Sequence, residues 1–522
     1  MNRLVPSNAV LIVGAGPTGI TLAVDVARRG VPFRIIDAKS GPTADSKGVA
    51  LNISSRYGLQ LLGLGDRIGA RANPVQRLDI HWQGRPYACI DFGLLRPDLH
   101  HLLLQAQAET ELDLLNVLQA LGHEVEWGRR LLETTEREHG VTAYLQGADD
   151  EPEQAEFAWV VGCDGKHSVV RNLLNAEFKG RDYPMHFVLG DFRLPAQFNR
   201  DRVRYCVYKD GFFILVPFGD SMWRIVVKHD GAPPERAPAV ADITDFVRAR
   251  MGADFDPGPC LWISRAPFYH RVAQRLSSAR QFIAGDAAHL FSPIGGTGMN
   301  TGMQDVFNLG WKLAAVYHGQ AGTQLLESYA TERLAEIDKA AKIADLSTRL
   351  ICGWEPSHPL LADLAPRMHN RGKMRRLFPR LHSGLGAKMH IPGADNANPA
   401  VGCLHLDFIR AQADTSPDDA RARNLPTCLI DLRHAALDKF QSLRQALAAH
   451  PFVQVRLMSD AAPTLLADET HQALPHPAQA LSLVRPDGIC IHSGDASTQD
   501  AMLALLDSMR PQWQTHHHGN AS

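Results

Sequence analysis

Near the start of the chain four apolar residues in a row, Val10 to Val13, break off at a glycine. A short continuous apolar run bounded by glycine reads as a strand. The next stretch, through Arg29, carries apolar residues at helical spacing and closes on Gly30; a second apolar run, Phe33 to Asp37, follows. Strand, helix and strand in that order predict a parallel βαβ unit. The period changes between about Phe178 and His270, where "DRVRYCVYKDGFFILVPFGDSMWRIVVKHDG" alternates as three strands, with turn signals at Lys209-Asp210-Gly211 and Phe218-Gly219-Asp220. Alternation puts Tyr205 and Arg204 on opposite faces, and likewise Trp223 and Arg224. The pattern then returns to α/β. An apolar strand ends in Gly285-Asp286, a glycine-rich loop follows, and "TGMQDVFNLGWKLAAVYHG" brings Met303, Val306, Phe307, Leu313, Ala314 and Tyr317 onto one helical face. A helical region comes next. From about Thr427 two strand patterns, a helix, a hairpin at Asp487-Gly488 and a last helix complete the chain.

At 522 residues, a soft prior of roughly 150 residues per domain suggests about three domains. The pattern divides the chain at 1–177, 178–275, 276–395 and 396–522, with residues about 75–105 assignable to the sheet region instead. Hydrophobic residues make up 45% and charged residues 21%, an ordinary soluble balance. A net charge of -2 argues against nucleic acid as a partner, and no apolar run reaches the ~18 residues of a membrane span. The eight cysteines stand singly, without metal-ligand spacing, so no metal site is expected. With no signal-peptide pattern at the N-terminus, the expected location is the cytoplasm. The basic stretch "RMHNRGKMRRLFPRLHSGLG" carries no nucleic-acid motif and reads as a solvated connection.

The chemistry begins at "GAGPTG". Gly14, Gly16 and Gly19 have the G-x-G-x-x-G spacing between a strand and a helix: one glycine for the turn, one for approach of a pyrophosphate, one for close packing of helix on strand. Pro17 and Thr18 open the helix, and Asp37, with Ala38 after it, ends the second strand where a carboxylate accepts ribose hydroxyls. These features point to a dinucleotide. The "GDAAHLFSPIGGTGMN" loop decides which one: Asp286 sits at a strand's C-terminal end, ready for a polyol hydroxyl, while Gly296, Gly298, Met299 and Asn300 present bare amides at a helix start, suited to the electron-rich ring of a reduced flavin. The absence of a second dinucleotide fingerprint opposes an ordinary NAD dehydrogenase.

Three motifs in order, "GAGPTG", "VVGCDGKHSVVR" and "GDAAH…P.GG.GMN..MQD..NLGWKLA", resemble those of the class A flavoprotein monooxygenases of the para-hydroxybenzoate hydroxylase type, and within them the phenol hydroxylase and pentachlorophenol monooxygenase kind. The resemblance implies an α/β fold with a Rossmann-like FAD-binding domain, a β-sheet substrate domain and a C-terminal thioredoxin-like domain. It implies FAD as cofactor, NADPH or NADH as transient co-substrate, and O2. The activity implied is hydroxylation of a phenolic or polycyclic aromatic substrate through a flavin C4a-hydroperoxide; the alternative is Baeyer–Villiger oxidation, epoxidation or another oxidation of a natural-product intermediate on the same frame. By the same resemblance Asp164 and Gly165 belong to the cofactor site, with Arg171 a pyridine-nucleotide contact; Gln107 and Lys47 touch the cofactor, Gly285 and Asp286 bind it, Pro293 lies beside the reactive flavin edge, and Tyr205 and Arg224 are candidates for the substrate pocket. Tyr269 and His270 read as structural. Without a CxxC pair the C-terminal domain is expected to serve structure or assembly, and a homodimer is the assembly allowed for. The chain departs from the family at Lys47-Gly48, where Arg-Ala is common, and at Asp37, where glutamate is.

Overall fold

A computed structural model describes residues 9–352 apart from 43–46, 96–100, 148–150, 196–197, 232, 253–254, 293 and 295, together with parts of 379–513. Most of the basic stretch and the segment "DKFQSLRQALAAH" lie largely outside the described residues.

The strand Val10–Val13 is wholly buried and lies at the centre of a five-stranded sheet, between Trp159–Gly162 and Phe33–Asp37, with Gln281–Ile283 and Glu126–Trp127 at the edges. Every neighbouring pair in it is parallel, as crossover helices require. This order matters for function. It brings the turns after residues 13, 162 and 283 out at one end of the sheet, where open parallel sheets bind ligands. The helix Pro17–Arg28 packs most heavily on the helix Thr297–Tyr317, so sequence-distant glycine loops become neighbours.

The three strands expected in the middle are present as Arg202–Tyr208, Gly211–Phe218 and Met222–Asp230. They belong to an eight-stranded sheet that also takes in Phe178–Phe192, Cys260–Ala273, His289–Leu290 and, at the far edge, Arg77–Trp82 and Arg85–Asp91. Two faces of this sheet carry separate cores. One packs Trp223, Ile225 and Phe213 against the helix Ala241–Met251; the other packs Phe187, Phe212, Ile214 and Val226 with Ile53, Tyr57 and Ile294 from the nucleotide-binding part. Ile294 lies in the loop just past Asp286, so the second face looks toward the cofactor loops.

Near the C-terminus four strands run in the order Gln454–Met458, Thr427–Asp431, Leu481–Val484 and Cys490–Gly494, the first pair parallel and the others antiparallel, followed by the helix Gln499–Trp513. Their core includes Trp311 and Ala315 of the helix Thr297–Tyr317. Beside it Glu332 is buried between Lys312 and Arg485. Burial alone would raise the Glu332 pKa, but Arg485, Lys312 and Asn308 outweigh it and hold the carboxyl at about 2, below its ordinary 4.5. A depressed carboxyl contributes stability that is complete above the ordinary value and lost as pH falls through the folded one. Thermal unfolding is therefore expected to show a loss of stability between about pH 4.5 and 2 that is smaller in Glu332→Gln, a variant already weaker at neutral pH.

Candidate active site

The first loop is built by backbone collisions that only glycine avoids. Gly14 has φ +101°, and a Cβ there would lie 2.3 Å from the Cys163 carbonyl oxygen; a Cβ on Gly19 would lie 1.9 Å from the Gly14 oxygen. Gly16 differs, because its Cβ position meets nothing within 4 Å. It caps the helix Pro17–Arg28 without a side-chain hydrogen bond, and no acidic residue occupies the first turn. An anion can therefore approach these amides from the open side. Asp37 is buried; its two oxygens accept from the Ala15 amide (2.7 Å) and the Lys39 amide (2.9 Å). The carboxylate clamps the glycine turn to the second strand and keeps further lone pairs for a ribose. Ala38, next to it, is exposed.

Thr18 joins this loop to the second one. A Cβ on Gly285, whose φ is +62°, or on Gly302 would come within 2.5 Å of the Thr18 hydroxyl. Between buried neighbours Gly285 and Ala287, Asp286 alone is exposed, and among the described residues it makes no hydrogen bond. Protein crowds round its base closely enough to raise its pKa, with His289 and Lys47 pulling the other way. A free carboxylate so placed is an acceptor awaiting a hydroxyl. Asp164 offers another. Its Oδ2 caps the helix Val169–Leu173 through the Val169 (2.7 Å) and Val170 (3.3 Å) amides, while its Oδ1 is buried with no partner. Burial raises this carboxyl too, against the Ser168 hydroxyl and the capped amides. A buried acceptor left unmatched costs about 1–3 kcal/mol, which a ligand donor would recover. Gly165 beside it, φ +76°, has open space at its Cβ.

The helix Thr297–Tyr317 begins at Gly296 in the left-handed region, with no side-chain cap and no acid in its first turn, and the Gly298 Cβ position is open. Its N-terminus is thus a bare positive pole. Asn300 anchors it: the side-chain amide donates to the Ala50 (2.8 Å) and Gly296 (2.6 Å) carbonyls and accepts from the Asn52 amide (3.0 Å). Opposite, the Gln107 side chain accepts from the Gly48 amide (3.1 Å), and a Cβ on Gly48 would sit 3.7 Å from the Met299 sulfur. Lys47 is exposed at the same edge. Gln107, Lys47, Gly48 and Met299 therefore share one wall.

A buried hub that sequence reasoning did not single out holds the second loop in place. Asp305, wholly buried, accepts from the Gly285 amide (3.0 Å), His289 Nε2 (2.8 Å) and Arg333 Nε (2.8 Å). Burial would raise its pKa, yet Arg333 and His289 hold it below the ordinary value. The "MQD" of the third motif was the available signal; its partners were not.

Two of the expected site residues are engaged by the protein itself. Arg224 is buried and held on three sides: Nε and Nη2 grip both oxygens of Asp191 (2.8 Å each), Nη1 donates to the Lys47 carbonyl (2.8 Å), and the Trp262 ring lies 4.6 Å away. It braces the large sheet to the Lys47 edge of the cofactor site. Arg171 is likewise buried, donating to the Ala287 (3.0 Å) and Lys166 (2.7 Å) carbonyls beneath the Phe178 ring, which ties the second motif to the third. Tyr205 is half-buried on the sheet face that packs with Ile294. Lys166 donates to the Tyr269 hydroxyl. Pro293 lies outside the described residues.

A family model described as FAD binding domain matches residues 7–344. The chain belongs to this FAD-binding family. Relatives that it resembles are named monooxygenases and hydroxylases. The flavoprotein is 31% identical over 530 residues to 6-methylpretetramide 4-monooxygenase of Streptomyces rimosus, covering 96% of this chain and 93% of that one. It is 32% identical over 345 residues to pentachlorophenol 4-monooxygenase of Sphingobium chlorophenolicum, covering 62% and 61%. Among solved structures, an aromatic hydroxylase from angucycline biosynthesis superposes with a TM-score of 0.74 at 25% identity, covering 93% of this chain and 96% of that one. The flavoprotein is thus an FAD-dependent aromatic monooxygenase, and the residues present fit the cofactor: two unmatched carboxylate acceptors, two uncapped helix N-termini and a glycine turn open to a diphosphate.

Asp286→Ala is expected to weaken FAD binding about 10- to 100-fold, the worth of a charged hydrogen bond, and to leave thermal stability nearly unchanged because the side chain is exposed. Fluorescence titration of the apoprotein with FAD, beside a melting curve, checks both halves.

Proposed function

We propose that this chain is an NAD(P)H-consuming hydroxylase of polycyclic phenols. The observation that carries the reading is the apolar face of the eight-stranded sheet, which shares one core with Ile294 of the flavin loop and includes Tyr205 and Trp262 at its margin. Such a wall suits a broad, flat ring system better than a small charged one. The near full-length similarity to an enzyme named for 6-methylpretetramide, against partial similarity to the pentachlorophenol enzyme, supports the same choice.

Bound FAD would supply the redox chemistry that links NAD(P)H and dioxygen to hydroxylation of the ring, with one oxygen atom in the product and the other in water. The chain's own residues do the rest. Asp37, Asp164 and Asp286 accept hydroxyls of the cofactor's sugars. The amides at Gly298 to Asn300 favour negative charge on its ring. The large sheet, held to the Lys47 edge by Arg224, excludes water from the place where oxygen is activated. Pro293 we assign to that place by family resemblance, and Tyr205 to the substrate wall. Residues 178–275 with 77–91 would form the substrate domain, and 1–177 with 276–395 the cofactor domain. The parallel-then-antiparallel order of the last four strands supports reading 396–522 as a thioredoxin-like unit of structural role. The absence of any disulfide among the described cysteines fits a reducing cytoplasm, and no helix among the described residues is long and apolar enough to cross a membrane.

The test is a panel of monocyclic and polycyclic phenols under labelled dioxygen, following NADPH and NADH oxidation, peroxide and product mass. The proposal expects coupled turnover with one labelled oxygen on a ring carbon of a polycyclic phenol. Coupled turnover confined to monocyclic phenols, or label found in a lactone or epoxide, would contradict it.

A further inference from the structure

The helix Thr297–Tyr317 serves the cofactor at its N-terminus and is gripped at its other end by a part of the chain far away in sequence. Lys312 is wholly buried and donates to Asn308 Oδ1 (2.9 Å) and Glu332 Oε2 (3.1 Å); Asn308 also donates to Glu332 (2.7 Å). The remaining oxygen of Glu332 accepts from Arg485 Nη1 (3.0 Å), and Arg485 in turn forks onto Asp487 (3.1 and 2.5 Å). Arg485 and Asp487 form the turn between the strands Leu481–Val484 and Cys490–Gly494. The Arg485 guanidinium also lies 5.3 Å from the Trp311 ring, which stacks on Trp513 of the terminal helix.

Charges alternate along this chain, Lys312, Glu332, Arg485, Asp487, and all four are buried. Removing Arg485 would leave two carboxylates facing one ammonium in a dry interior. The strain cannot stay local. Glu332 adjoins Arg333, which holds Asp305, and Asp305 holds the Gly285 amide beside Asp286. Gly302 on the same helix touches the Gly285 backbone so closely that a Cβ would lie 3.0 Å from its Cα. A well-packed helix moves as a body, so a displacement at Lys312 reaches the N-terminus ~22 Å away.

We propose that Arg485 is a positioning residue for the flavin: the C-terminal hairpin, acting through Glu332 and Lys312, sets the register of the helix whose N-terminus meets the cofactor. The inference rests on the flavin site described above and adds to it a function for the C-terminal strands.

The test uses the full-length chain carrying Arg485→Met or Arg485→Lys. Lysine keeps the charge but loses the fork that joins Glu332 to Asp487. FAD dissociation constants of the apoproteins, the visible circular dichroism of the bound flavin and its midpoint potential are read beside melting curves. The expected result is FAD binding weakened roughly tenfold in Arg485→Met, with an altered flavin spectrum and potential, and a smaller change of the same sign in Arg485→Lys. Should Arg485→Met fail to fold, the lysine variant decides on the same readouts. Variants that melt earlier yet bind FAD with wild-type affinity, spectrum and potential would overturn the inference while leaving the wild-type flavin site intact.

Discussion

Gly19→Ala is expected to yield a chain that folds poorly and no longer retains FAD. The added methyl carbon would sit 1.9 Å from the Gly14 carbonyl oxygen and 3.2 Å from Cys163 Cβ. Carbon and oxygen need about 3.3 Å, so the helix Pro17–Arg28 must retreat by more than about 1 Å. Nothing opposite can yield, since Gly14 is held by its amide to the Ile36 carbonyl (2.8 Å) and Ala15 is held by Asp37. Overpacking of this kind costs about 1–3 kcal/mol or more, and a 1 Å error in the placement of binding groups costs on the order of 100-fold. Gly16→Ala provides the contrast. Its Cβ meets no protein atom, so the variant is expected to melt like wild type yet bind FAD weakly, because the methyl occupies the space of the diphosphate. Melting curves and FAD titrations on the two proteins separate packing from ligand approach; equal affinity for FAD in Gly16→Ala and wild type would show that the open side is not the diphosphate's.

Asp305→Ala is expected to be the most destabilising single change near the site. It leaves Arg333 buried without its anion, removes the partner of a wholly buried His289, and frees the Gly285 amide. Breaking one side of a buried pair costs about 3–5 kcal/mol, a large share of the roughly 5–15 kcal/mol that holds a typical domain together. Urea unfolding should show this loss, and flavin should be released before the chain unfolds because Asp286 hangs from the loop that Asp305 secures. Asp305→Asn keeps the shape without the charge and is expected to fall between the two. A midpoint unchanged in Asp305→Ala would mean that Arg333 finds another anion.

The glycine turn, the Gly285-Asp286 loop and the three middle strands were legible because each is written in neighbouring residues: a period, a turn signal, a glycine that no other residue can replace. What stayed hidden is carried by pairs remote in sequence. Alternation placed Arg224 on the correct kind of face, but nothing local shows that Asp191, on a strand 33 residues upstream, takes both ends of its fork. The motif around Arg171 is local, but its carbonyl partner at Ala287 lies 116 residues away. The strands at 77–91 could be assigned either way for the same reason: they join the large sheet through a parallel pairing of Arg77 to Trp82 with Arg202 to Val207. The junction at Arg485 is the extreme case, an ion pair with Glu332 across 153 residues.

The central claim, that FAD lies extended between the Gly14–Gly19 turn and the Asp286 loop with its ring at the Gly298–Asn300 helix start, is tested most directly by the purified protein itself. Equimolar FAD released on denaturation, with Gly16→Ala and Asp286→Ala both depleted of it, is the result the account predicts. A chain that is colourless as isolated and stays colourless after incubation with excess FAD would contradict it.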